Sequence, residues 1–127
     1  MATDRSADVI IGGETYELIL TTKATKEIAA RYGGLDNLGD KLLKAENFEM
    51  ALGEIVWLVT VLANQSILIH NLKDRDHPKE LLTEEAVELL TTPFDLAQYK
   101  EALTEALFKG TRRNIVSEED QKNSEVG

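Results

Sequence analysis

From Phe48 to Ile69 the chain runs through a segment so apolar that the rest of the fold has to be arranged around it. Glu49, Gly53, Glu54, Asn64 and Gln65 interrupt it, too often for a plain membrane span, and its length predicts one long helix. At about 100° per residue, Phe48, Leu52, Ile55, Val59, Leu62 and Ala63 fall on one broad stripe, wide enough to anchor a core. Met50, Trp57, Val61 and Leu68 fall on the opposite side. A helix that is apolar on two sides is either the central helix of a bundle or one that shows a face to a partner. The chain's single Trp lies on the second stripe, and Trp is enriched where partners bind. Met50, Trp57, Val61 and Leu68 are therefore the candidate partner-binding residues, and Gly53 beside them leaves room for another helix to approach.

The elements around this helix follow from local signals. Asp8–Ile11 and Thr15–Leu20 are β-branched and aromatic runs on either side of Gly12-Gly13-Glu14, which predicts a hairpin. Its apolar face must dock on helices, because a lone hairpin is marginal in water. Ala24, Ile28 and Tyr32 recur at helical spacing and stop at Gly33-Gly34. Leu35, Leu38 and Leu42 suggest a short second helix, and Asn47 is a fair N-cap for the long one, which should reach about His70. The charged linker from Asn71 to Glu80 contains Pro78 and cannot continue it. Thr83 opens a further helix, with Glu84 and Glu85 in its first turn and Leu82 and Val87 spaced as a hydrophobic staple. Thr92-Pro93-Phe94-Asp95 opens the last, which carries Leu96, Tyr99, Leu103, Ala106 and Leu107 on one face and ends at Gly110. The expected fold is mainly α, about five helices with an N-terminal β-hairpin packed against them. Residues 1–110 form one domain, and the charged tail 111–127 is expected to be flexible and dispensable for folding.

Composition narrows the function. Fourteen basic against 23 acidic side chains give a net charge of −9, which repels phosphate backbones and anionic lipid, so neither nucleic acid nor membrane is an expected partner. The chain has no Cys, which removes disulfides, thiolate metal sites and cysteine nucleophiles. Met1 to Ser6 carry no secretory signal pattern, and a cytoplasmic protein is expected. Asp74-Arg75-Asp76-His77 holds metal-type donors, yet Arg75 and Pro78 break the spacing that a cation loop requires. No serine sits in a nucleophile elbow, and neither Gly12-Gly13 nor Gly33-Gly34 has phosphate-loop spacing. The residues point to no catalytic, cofactor or metal site, and the expectation is a protein that is not an enzyme.

The hairpin Ile11-Gly12-Gly13-Glu14-Thr15-Tyr16-Glu17-Leu18 runs into Leu20-Thr21-Thr22-Lys23-Ala24 and then to Tyr32-Gly33-Gly34-Leu35. This order, followed by a run of helices and a charged ending, resembles the tail assembly chaperones of long-tailed phages and prophages of Gram-positive bacteria. The resemblance covers roughly residues 8–110. It implies a non-enzymatic helical chaperone in the host bacterial cytoplasm that binds the tape measure protein, and possibly the tail tube protein, during virion assembly. The family's contacts are surfaces, so no single residue carries over as a known site. A structural phage protein, such as a head–tail completion protein or ring-forming adaptor, would use the same apolar stripe as a permanent interface. A small regulator or an enzyme fragment is the remote third reading.

Self-association is also expected, giving a homo-oligomer. Val9 and Ile11 opposite Tyr16, Leu18 and Leu20 make a two-stranded element with open backbone edges and few guarding charges, which invites pairing or packing between copies.

Overall fold

A computed structural model describes residues 6–34 and 48–107. Strands β1 (Ser6–Ile11) and β2 (Glu14–Ile19) form an antiparallel hairpin. Four helices follow among the described residues: α1 (Thr22–Tyr32), α2 (Phe48–Lys73), α3 (Glu84–Leu90) and α4 (93–107). The fold is mainly helical with the hairpin packed against the helices. The expected short helix around Leu35, Leu38 and Leu42, the Asn47 cap and the tail 111–127 lie outside the described residues.

The hairpin turns more tightly than expected. Ile11 pairs with Glu14, so only Gly12 and Gly13 form the loop and Glu14 belongs to β2. Their φ values of 59° and 85° are the left-handed pair of a type I′ turn, whose twist matches that of the strands. Ala7, Val9, Ile11 and Leu18 are buried on one face, and Leu20 continues it.

Capping sets the helix ends. The Thr21 hydroxyl accepts from Ala24 N at 3.0 Å, and Gly33, at φ 78°, sends its N–H to Ala29 O at 2.7 Å. Thr83 Oγ1 accepts from Ala86 N. Thr92 and Asp95 close a reciprocal box, with Thr92 N–H on Asp95 Oδ2 at 2.9 Å and Asp95 N–H on Thr92 Oγ1 at 3.3 Å. Val87, the inner half of the staple, is fully buried, and Leu82 packs against the same core.

Helix α2 is the centre of the molecule. Ile55, Val56, Leu58, Val59, Leu62, Ala63 and Ile67 are all buried, an arc much broader than the stripe read from periodicity. The helix packs on β2, with α1 and α3 on its flanks. Its Leu52–Lys73 portion is long and apolar enough to cross a membrane by length and composition, but half of its most apolar stretch is buried inside the domain. Two buried polar side chains are satisfied there. Thr60 Oγ1 donates to Val56 O, while Gln65 donates to Val61 O and accepts from Thr21 Oγ1 at 2.5 Å. α2 also runs three residues beyond the expected His70, to Lys73. The Asp74 N–H continues its ladder to His70 O, and His70 Nε2 donates to the His77 carbonyl at 2.8 Å, folding the linker back on the helix end.

Candidate interaction surfaces

The second stripe of α2 forms its outer line, and the neighbouring elements half cover it. Trp57 is half-buried rather than openly exposed. The Arg31 guanidinium lies 4.4 Å from its ring centroid, and Tyr32 meets it edge-on at 6.0 Å. Glu54, one turn before Trp57 on α2, ties this group together: it accepts from Arg31 Nε at 3.3 Å and from the Tyr32 hydroxyl. Burial, then the Glu54 carboxylate that accepts its proton, pushes the Tyr32 phenol above its ordinary value. Val61 packs partly against the core, and Leu68 is half-buried. The Met50 side chain lies outside the described residues. Gly53 is exposed with open space beside it, in a cleft of about 350 Å³ between Arg31 and the acidic side chains Glu54, Glu84 and Glu88.

The lower half of the same line is occupied by the chain itself. Asn64 grips the backbone of Leu82 through two bonds, receiving its N–H at 2.7 Å and donating to its carbonyl at 2.9 Å. Asn71, seven residues on, holds Lys79 in the same way at 2.8 and 3.0 Å. Two asparagines two helical turns apart thus fasten the segment between them along α2. Sequence reasoning took Asn64 only as a polar flank of the apolar stripe and Asn71 as the start of the linker. Their spacing of seven on one helix face was the available signal.

The hairpin residues expected to mediate self-association are mostly inside the protomer. Val9, Ile11, Leu18 and Leu20 belong to its core, and Tyr16 is half-buried with its hydroxyl on Glu14 at 3.0 Å. The apolar face is thus closed on the protomer's own helices and cannot also pack on a neighbour's. The β1 edge is partly closed as well, since the Tyr99 hydroxyl of α4 donates to Ile10 O. On the outward face Asp8 stands directly across from Glu17, a like-charged pair with no ion-pair partner among the described residues.

Large apolar side chains are exposed at several other places, Leu72 near the end of α2 and Leu81 just beyond it among them. Ile10, Leu89, Leu90 and Phe94 are 63, 77, 52 and 71% exposed. The Leu90 side chain closes over Gly12, where a β-carbon would sit only 3.1 Å from its Cδ1, so the hairpin turn and the end of α3 meet. Ile10 and Leu90 line one groove of about 580 Å³ between β1 and α4. Phe94 follows at the start of α4. This exposed apolar set was not anticipated, because it draws on β1, α3 and α4 and no periodicity links the three elements.

Among the described residues no group of three or more His, Asp or Glu side chains is placed to hold a metal. His77 makes a local contact with Asp74 at 3.0 Å on the surface. No protein-family model, curated protein or solved structure matches this chain.

Proposed function

We propose that this protein is a non-enzymatic assembly chaperone of the phage tail kind, which holds the tape measure protein in the host cytoplasm while the tail is built. The reading rests on the sequence resemblance, and one structural observation supports it. Large apolar side chains (Ile10, Leu89, Leu90 and Phe94) stay exposed in a chain whose net charge is −9. Such side chains offer contact to an apolar helical client, and the acidic surroundings keep the complex soluble and discourage self-aggregation. Trp57 and Val61, on the outer line of α2, offer a second and shallower contact.

Co-expression with candidate tail proteins, followed by pull-down and size-exclusion chromatography, tests this. The expected result is co-elution with the tape measure protein, lost in a Leu89→Lys/Phe94→Lys variant that still melts cooperatively. A stable ring of this chain alone that ignores the tape measure protein would instead make it a structural adaptor.

A further inference from the structure

The two edges of the hairpin are not equivalent. Across a two-residue turn the closing pair, Ile11 and Glu14, exchanges hydrogen bonds, and every second pair after it does the same. The intervening residues, Asp8 and Ile10 on β1 and Thr15 and Glu17 on β2, therefore turn their backbone N–H and C=O groups outward. The Tyr99 hydroxyl on Ile10 O agrees with this register and occupies the β1 edge. On the β2 edge the outward backbone groups of Thr15 and Glu17 have no hydrogen-bond partner among the described residues.

That open edge borders a groove of about 1030 Å³. Residues 14–17 of β2 line it and none of β1 does, so it runs along the outer side of β2, facing α2 and the segment 79–82. Four strand residues give it a length of about 13 Å. Its two sides differ chemically. Tyr16 lies on the face turned to α2, where Ile67 supplies apolar surface, and Leu81 stands exposed in the lining. On the opposite face Glu17 stands across from Asp8, and neither has an ion-pair partner among the described residues. Glu14 and Glu80 add to an acidic lining in which Lys79 is the only lysine or arginine among the described residues.

We propose that β2 accepts an extended segment of a partner protein as a third strand of the sheet, a segment in which Lys or Arg residues alternate with an apolar one. Backbone bonds to Thr15 and Glu17 hold the segment, and its side chains then fall alternately on the two faces. Residues opposite Thr15 and Glu17 share the acidic face, where a positive charge pairs with Glu17 and Asp8. The residue between them lies opposite Tyr16, on the face of Ile67, and is apolar. The order is therefore basic, apolar, basic. No Lys/Arg–apolar–Lys/Arg triplet occurs in this chain, so neither its own remaining residues nor a second copy supplies the strand. The site is separate from the groove between β1 and α4, and it stands whether or not the apolar side chains there take a helical client.

Fluorescence polarisation with labelled peptides tests this on the full chain. The probe is Lys-Val-Lys-Val-Lys-Val-Lys. One control has the same composition with its valines grouped at one end, and the other is the probe with its central backbone nitrogens methylated. Both keep the probe's charge, but the first loses the alternation and the second loses the strand's donors. The probe binds more tightly than either control by about tenfold. Glu17→Lys, a change on the outward face that leaves a cooperative melt, weakens the probe by about tenfold through like-charge contact. Equal binding of the three peptides would be charge attraction alone and overturns the proposal. So does an affinity unmoved by Glu17→Lys, or a probe that binds only by dissociating a dimer of the chain, which would make a second copy the occupant.

Discussion

Trp57 shows how far a single residue's environment departs from its position on a helical wheel. Its sequence position suggested an open hot spot, but Arg31 covers one face of the ring and Tyr32 abuts its edge. Trp57→Ala therefore costs folding stability, about 1–2 kcal/mol from lost ring contacts, measurable by urea melts. If it also serves a partner, the loss in association exceeds that in folding. Leu62, fully buried on the opposite side of the same helix, is the reference: Leu62→Ala costs about 2–5 kcal/mol. Tyr32 carries a pH dependence. Its folded-state pKa is raised, so the unfolded chain ionises first. The contribution is complete below the ordinary value of 10.0 and declines as pH climbs above it. Urea melts between pH 8 and 11 should show a decline that is shallower in Tyr32→Phe.

At the scale of elements, the caps and breakers were legible because each is a local contract between neighbours in sequence. Gly33, Thr83 and the Thr92–Asp95 box all hold as the sequence suggests, and Thr21 adds a cap that the sequence reading did not name. The asparagine clamps were not legible, because their partners lie eight and 18 residues away on a segment without secondary structure. Asn64→Ala should release Leu82 and cost about 1–2 kcal/mol, with faster amide exchange at Leu82 as the specific sign. A Glu or Lys replacement that leaves Leu82 equally protected would show that the clamp is idle. The turn offers a finer comparison. Both glycines have positive φ, so an alanine costs about 1–2 kcal/mol at either position. Only at Gly12 does it also meet Leu90, while Gly13 faces open space. Gly12→Ala should be the more destabilising of the two.

For the whole molecule, the hairpin is part of the core, not an appendage. Removing residues 1–21 would strip Val9, Ile11, Leu18 and Leu20 from the helices, so the remnant would lose its cooperative melt before any question of assembly arose. Ile10→Lys is the sounder probe of hairpin-mediated association, since that side chain is 63% exposed. An unchanged mass by light scattering would remove the β1 surface from any oligomer interface. Truncation after Gly110, by contrast, should leave the melting temperature within a few degrees, because every core residue described lies between Ala7 and Ala106.

The hairpin, the four helices and the starts of α3 and α4 follow from alternation, helical spacing and capping chemistry, which act over a few residues and are written directly in the chain. So does the central place of α2, whose composition suits burial on nearly every side. Which of its two apolar sides would be covered, and by what, came only with the tertiary arrangement. Arg31 and Tyr32 come from α1, and the strap at 79–82 from beyond α2's own end. The exposed apolar groove belongs to the same level: Ile10 and Leu90 come to line it together because α3 stops against the hairpin turn and α4 runs beside β1. Periodicity reports which face of an element is apolar. Only the packing of other elements decides whether that face reaches water.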